Sequence, residues 1–170
     1  NTELKNLFRA FGFQTLLTDM VATAKTEETQ YHLVDTIEKF YEFLDQLVVQ
    51  RIVAVDLETT NTNPLAARIV GISFSWQARE AHYIPLMVPE GTAQVSADTV
   101  LSRIRPVLED KNIRKIGQNI KYDLLVLRKC NILLQGIVFD TMIASYLLNP
   151  GKRNHNLDDI AFEYLSYKTI

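Results

Sequence analysis

The chain has 170 residues and a mass of 19.5 kDa, which is the usual size of one globular domain. A hydrophobic content of 47% with 22% charged residues excludes a disordered chain, and a single cysteine, Cys130, excludes an internal disulfide framework and a cysteine-rich zinc site. The net charge of −2 gives no bulk attraction to nucleic acid, but it leaves open a site whose carboxylates hold metal ions. No apolar run approaches the ~18 residues of a membrane-spanning helix.

The first thirty residues predict a short helical hairpin followed by a linker. Apolar residues recur at helical spacing as far as Leu17, and small or polar residues come after it. A second unit begins at Tyr31. We predict a brief strand at His32–Val34 and then a helix over Thr36–Val49, with Asp35 as its N-cap.

The middle of the chain predicts strands. Ile52–Leu57 is apolar until Asp56, as expected of a central strand buried on both faces. Arg68–Trp76 and Glu80–Pro85 follow, joined by a short loop that suits an antiparallel hairpin. The later elements alternate: helix Ser96–Leu108, strand Arg114–Gly117, helix Lys121–Lys129, strand Ile137–Phe139, helix Thr141–Leu148 with Asp140 as its N-cap, and helix Leu157–Leu165. A meander followed by this alternation indicates an α/β domain with a mixed sheet covered by helices.

Two carboxylates stand close together at the end of the first central strand. Asp56 and Glu58 are two residues apart, so both side chains project from the same side of the strand. Burying two anions side by side is costly unless a cation binds between them, and oxygen ligands suit Mg²⁺ or Mn²⁺. The alternative is a strand that runs into a polar turn, with both carboxylates hydrated.

A second cluster of polar residues comes after the strand that ends at Gly117. The segment Gly117–Asp123 passes from strand to helix, and such a junction points N–H groups and side-chain amides towards a bound phosphate or nucleotide. Asp123, in the first helical turn, would add a third carboxylate to the pair. The alternative is purely local, with Asn119 capping the helix and Asp123 interacting with its dipole.

Together these segments resemble the proofreading 3′–5′ exonuclease domain of bacterial DNA polymerase I, which belongs to family A and to the DEDD exonucleases. The segments that carry the resemblance are Asp56–Thr60, Ile69–Ser75 and His82–Leu86 for its first block, Gly117–Asp123 for its second, and Phe139–Met142 and His155–Ala161 for the stretches after the second block. The resemblance implies a ribonuclease H-like fold. It also implies an exonuclease domain at residues 31–170, preceded at residues 1–30 by a helical segment like the one that joins a 5′-nuclease domain to it.

The resemblance implies metal-dependent hydrolysis at the 3′ end of single-stranded or frayed DNA, with two divalent ions, Mg²⁺ or Mn²⁺. Asp56 would bridge the two ions, Glu58 would hold the one that activates water, and Asp123 would hold the other. These three are therefore the expected catalytic residues and metal ligands.

The expected substrate contacts are Thr59, Thr62, Gln118, Asn119, Tyr122 and Arg153. Thr62 stands where many relatives have a leucine that wedges the terminal base. Tyr122 and Arg153 have local alternatives as well, core packing for the tyrosine and a hydrated loop for the arginine.

The family's third block, Tyr-x-x-x-Asp, supplies a fourth carboxylate and a tyrosine that orients the water, and by the resemblance it would lie after Ile170. We therefore expect the 170-residue chain by itself to bind metal weakly and to degrade DNA barely or not at all. Tyr31 to Asp35 and Tyr41 to Asp45 have the same spacing, but both precede the first block, and we interpret them as accidental.

The implied partners are a DNA 3′ end and the polymerase domain of the same parent chain, in the bacterial cytoplasm and without a membrane. Two alternatives stay open. One is a non-catalytic domain that braces a polymerase or grips DNA, and the other is a ribonuclease D-like RNA exonuclease. The Glu58-Thr59-Thr60 turn and the Ile69–Phe74 strand resemble the polymerase branch more closely.

Overall fold

The computed structural model of the protein describes residues 2–11, 13, 29–92 and 94–167. The helices are α1 (Thr2–Ala10), α2 (Ile37–Leu47), α3 (Ala97–Glu109), α4 (Ile120–Lys129), α5 (Thr141–Leu148) and α6 (Leu157–Leu165). The strands are β1 (Gln30–Leu33), β2 (Ile52–Thr59), β3 (Ile69–Gln77), β4 (Glu80–Pro85), β5 (Arg114–Gly117) and β6 (Ile137–Asp140). Helix α1 is the first half of the predicted hairpin, and most of its second half and the linker lie outside the described residues. Across those ranges, no helix has the length and apolar character needed to cross a membrane.

The six strands form one mixed sheet in the order β1-β4-β3-β2-β5-β6. Strands β2, β3 and β4 are the predicted antiparallel meander, and β5 and β6 extend it as parallel strands beside β2. Strand β1 pairs in parallel with β4 at the other edge, a position that the sequence pattern did not indicate. The predicted α/β class with a mixed sheet is confirmed, and β2 lies in the interior of that sheet.

Strand β2 has one buried face and one open face. Val53, Val55 and Leu57 are buried in the core, whereas Asp56 and Glu58 are exposed. The prediction that this strand is buried on both faces is therefore wrong. The strand also continues to Thr59 instead of ending at Leu57, so both carboxylates belong to a paired strand and are held on a rigid element.

The start of helix α2 differs from the prediction by one residue. The N-cap is Thr36, whose Oγ1 accepts a hydrogen bond from the Lys39 backbone N–H at 3.4 Å, and not Asp35. Because the helix begins at Ile37, Asp35 lies one position too early to cap it, and its carboxylate pairs with the Lys39 ammonium at 2.7 Å instead.

Asp140 caps two helices at once. Its carboxylate accepts hydrogen bonds from the Met142 and Ile143 N–H groups at the start of α5, at 2.8 and 3.2 Å, which confirms the predicted N-cap. It also accepts from the Asn119 and Ile120 N–H groups at the start of α4, at 3.2 and 2.9 Å. This one side chain, which is almost fully buried, therefore fixes the turn between β5 and α4 relative to α5.

Replacing Asp140 with alanine is expected to lower the free energy of unfolding by about 2–4 kcal/mol, because two helix caps with charge-assisted hydrogen bonds are lost. Urea unfolding measures the change. The control is Asp98→Ala, an exposed acidic residue in the first turn of α3, where Ser96 supplies the cap; its expected cost is about 0.5 kcal/mol or less. An equal decrease in the free energy of unfolding in the two variants would show that the double cap does not stabilise the fold more than an ordinary surface carboxylate does.

Candidate active site

Asp56 and Glu58 project from the open face of β2, and Asp123 from the first turn of α4 lies against them. Asp123 is only 3% exposed. Its burial, together with the negative charges of Asp56, Asp140 and Glu58, raises the pKa of its carboxyl group to about 8, although the Leu57 backbone N–H offsets part of the effect by hydrogen bonding. The structure therefore brings the three predicted carboxylates into electrostatic contact.

One carboxylate oxygen of Asp123 has no hydrogen-bond partner in the cluster. Its Oδ2 atom is buried and has no hydrogen-bond partner among the protein groups. Partial loss of hydration, followed by repulsion from Glu58, also raises the pKa of Asp56, to about 6. A buried carboxylate oxygen without a partner, next to two further carboxylates, is a donor set that fits a hard divalent cation.

The three carboxylates do not yet form a closed ligand set. Within the part of the chain that the structure describes, the only three His, Cys, Asp or Glu ligand atoms that all lie within 4.8 Å of one another belong to a different group. At least one of the distances between the oxygens of Asp56, Glu58 and Asp123 is therefore longer than 4.8 Å.

Four of the six predicted substrate contacts line one cavity, and two of them, Thr59 and Tyr122, are the neighbours in sequence of Glu58 and Asp123. The cavity has a volume of about 460 Å³ and is lined by Thr59, Thr60, Asn61, Thr62, Asn119 and Tyr122. The Tyr122 hydroxyl donates to the Asn61 carbonyl and lies 2.6 Å from Thr59 Oγ1, so it ties the turn after β2 to α4. Tyr122 thus both packs against the core and forms a wall of the cavity.

The local alternative, in which the Asn119 side chain caps the helix, is wrong. The Asn119 backbone is in the left-handed region, with φ 54° and ψ 40°, and its side chain makes no capping hydrogen bond. Because Asp140 takes over the capping of α4, the Asn119 amide is left to line the cavity.

The other two predicted contacts lie elsewhere. The Gln118 side chain is held at both ends, since its Nε2 donates to the His155 carbonyl at 2.8 Å and its Oε1 accepts from the Thr141 hydroxyl. Arg153 is exposed and lines a second cavity of about 540 Å³ that includes Tyr146 and His155. The structure therefore does not bring Arg153 to the cavity around Thr59.

Tyr83 is a site residue that the sequence reasoning missed. It is paired with Ser73, which is paired with Asp56, so all three project from the same face of the sheet. Burial and the charge of Glu58 raise the pKa of the Tyr83 hydroxyl. The ring lies over Gly71, where any side chain would overlap it. The position of Tyr83 could have been predicted from the pairing of the meander strands, because strand alternation places it on the same face as the carboxylates.

A family comparison identifies the class of the chain. The family model described as a 3′–5′ exonuclease, that of the family A DNA polymerases, matches residues 31–170. The chain therefore belongs to this exonuclease family, whose members depend on divalent metal ions. The DNA polymerase I of Pseudomonas aeruginosa is 34% identical over an alignment of 183 positions, which covers 96% of this chain and 20% of that protein. The chain thus spans about a fifth of the length of this relative.

Solved structures agree on the fold. NrnC of Brucella melitensis superposes with a TM-score of 0.62 at 26% identity, covering 84% of this chain and 63% of that one. RNase D of Trypanosoma brucei superposes with a TM-score of 0.67 at 18% identity, covering 92% of this chain and 52% of that one. The predicted ribonuclease H-like fold is confirmed.

The raised pKa of Asp123 has a consequence for stability in the absence of metal. The folded state holds a proton on this carboxyl more tightly than the unfolded state does, so the contribution of Asp123 to stability is fully present below about pH 4 and is lost as the pH rises to about 8. Asp123→Asn removes the titrating charge. We expect it to raise the melting temperature at pH 8 in EDTA by at least roughly 2–4 °C, and to have little effect near pH 4.

The control is Asp45→Asn, which removes an exposed carboxylate from α2 and should leave both melting temperatures unchanged. An Asp123→Asn variant that is no more stable than the parent at pH 8 would show that the carboxylates are not in repulsive contact.

Proposed function

We propose that the chain is the proofreading 3′–5′ exonuclease domain of a DNA polymerase I, and that it hydrolyses the 3′-terminal phosphodiester of single-stranded or frayed DNA. The observation that carries the proposal is the buried Asp123 carboxylate, which has an unpartnered oxygen beside the charges of Asp56 and Glu58. Buried like charges are unfavourable unless a cation compensates them. The membership of residues 31–170 in the exonuclease family supports the same reaction.

Two divalent ions, Mg²⁺ or Mn²⁺, are the cofactors in this proposal. Asp56 would be a ligand of both ions, Glu58 would hold the ion that activates the water, and Asp123 would hold the other. When bound, the ions would offset the negative charge of the carboxylates and of the scissile phosphate, and would activate the water. A structure of the similar protein NrnC contains bound Mg²⁺, which supports the choice of ion.

The cavity around Thr59 is our proposed position for the terminal nucleotide. Its volume of about 460 Å³ falls in the range of small-molecule sites. Thr59 would contact the nucleotide through its backbone, and Asn119 would offer its amide. The Tyr122 hydroxyl would keep the Thr59–Thr62 turn in place while the nucleotide binds. Tyr83, beside Glu58, would exclude water from the edge of the site.

The DNA upstream of the terminal nucleotide would run towards α5 and the loop before α6. Arg153 would attract its phosphates from the second cavity, and Gln118, bonded to the His155 carbonyl, would position that loop. The polymerase domain of a longer parent chain is the proposed partner that hands over the 3′ end.

The test is release of 3′-terminal nucleotides from a 5′-labelled DNA oligomer with Mn²⁺, assayed for the 170-residue chain and for the product of its whole gene. In the whole-gene product, Asp56→Asn and Asp123→Asn should each reduce the rate by at least about a hundredfold, because alignment of water and phosphate is lost. Asp45→Asn is the matched control, since it removes an exposed carboxylate remote in sequence from the site, and it should leave the rate unchanged.

Undiminished hydrolysis by the Asp56 and Asp123 variants would overturn the assignment. If the unsubstituted whole-gene product binds DNA but releases no nucleotides, the domain is a non-catalytic one that grips DNA.

A second candidate function is exonuclease action on RNA. It is favoured by the similarity to NrnC, one structure of which is bound to the dinucleotide pGG, and by the fold shared with RNase D. Competition between DNA and RNA oligomers of equal length and sequence separates the two candidates. We expect DNA to be degraded first, and a preference for RNA would favour the second candidate.

A further inference from the structure

A second group of metal-binding side chains lies at the β1–β4 edge of the sheet. His32, Glu80 and His82 each offer one ligand atom, and these three atoms all lie within 4.8 Å of one another. The parallel pairing of the two strands places His32 directly beside His82. Since both imidazoles come from paired strand positions, the sheet itself fixes their separation.

This group is separate from the three carboxylates. His82 is paired with Phe74, and Phe74 is paired with Val55, so these side chains project from the core face of the sheet. Asp56, the next residue after Val55, projects from the opposite face. No residue is shared by the two groups.

The unsatisfied nitrogen of His82 is the observation that points to a ligand. His82 is 5% exposed, and its Nδ1 atom is buried without a hydrogen-bond partner. The ring is held between Trp76 and His32, with centroid distances of 4.4 and 4.6 Å, and it also contacts Phe43. A buried and immobilised imidazole with an unpartnered nitrogen is unfavourable by itself, whereas a bound cation would satisfy it.

The other two ligands can adjust to an ion. The His32 side chain is 44% exposed, and its Nε2 lies 2.8 Å from Glu80 Oε1. A cavity of about 440 Å³ opens beside this pair, with Lys39, Glu42 and Gln46 of α2 in its wall. The two imidazole rings are nearly parallel, at an interplanar angle of 22°, and the partly exposed His32 ring would tilt for both rings to reach one ion.

We propose that His32, Glu80 and His82 bind a divalent transition-metal ion, and that this ion is Zn²⁺. Two imidazoles and one carboxylate are a ligand set used for Zn²⁺, whereas Mg²⁺ and Mn²⁺ prefer all-oxygen sites such as the carboxylate cluster. The ion would join β1 to β4. Strand β1 has four residues, all exposed, so little burial holds it at the edge of the sheet. A ligand from each strand would therefore stabilise the start of the domain.

The experiment measures Zn²⁺ binding by calorimetry and by thermal unfolding. It uses the 170-residue chain carrying Asp56→Asn and Asp123→Asn, which removes the carboxylate cluster as a competing site. We expect one equivalent of Zn²⁺ to bind and to raise the melting temperature. Co²⁺ should occupy the same site and give a visible absorption band that Zn²⁺ displaces.

Adding His32→Ala should weaken Zn²⁺ binding at least tenfold and abolish the thermal shift. The His32 side chain is 44% exposed, so this variant removes no fully buried side chain from the core. Adding His155→Ala instead is the control, since it removes the one remaining histidine of the chain and should leave binding unchanged. The proposal is overturned if no saturable binding occurs, or if the His32→Ala variant binds Zn²⁺ as tightly as the chain that keeps His32.

Discussion

The burial of Asp123 beside the negative charges of Asp56 and Glu58 is the constraint on which the account of this domain depends. One of the three carboxylates is almost fully buried and has an oxygen without a partner, and the pKa values of Asp123 and Asp56 are raised to about 8 and about 6. A protein that needed only stability would replace such a group with apolar residues. The fold instead holds it on a rigid interior strand and on the first turn of a helix. That arrangement costs stability in the free chain, and a cation bound between the carboxylates would offset the cost.

Asp140 is the residue that makes this placement possible. Its carboxylate accepts hydrogen bonds from backbone N–H groups at the starts of both α4 and α5. These bonds fix the turn in which Asn119 has a left-handed conformation and after which Asp123 points at β2. Gly117 contributes at the same place, because a side chain there would press on the Val55 carbonyl and on Ile120. The negative charge of Asp140 also helps to raise the pKa of Asp123. The Asp140 carboxylate therefore both positions Asp123 and makes its charged form less favourable.

The sequence predicts most of the elements because their signals are local. Strand Glu80–Pro85 and helix Thr141–Leu148 have the predicted bounds, and the meander follows from a short loop between two apolar runs. The Asp56, Glu58 and Asp123 cluster was predicted from strand alternation and from family resemblance. Contacts between distant parts of the chain were not predictable. Neither the pairing of β1 with β4 nor the second capping role of Asp140 is indicated by the residues nearby in sequence.

The burial of Lys115 was not predictable either. Its fully buried ammonium donates a hydrogen bond to the Asp110 carbonyl, but the sequence of its strand gives no sign of this contact. The placement of Arg153 away from the Thr59 cavity likewise depends on how α5 and α6 pack, which periodicity does not reveal.

The most direct test of the central claim is the pKa of Asp123, measured by ¹³C NMR titration of its carboxyl carbon with and without Mg²⁺. In the metal-free chain the account predicts a pKa of about 8, because the carboxyl is buried among other negative charges. Saturating Mg²⁺ should lower it towards the ordinary range of carboxylic acids, because the ion stabilises the charged form. An ordinary pKa in the metal-free chain, or a raised pKa that Mg²⁺ does not change, would contradict the account.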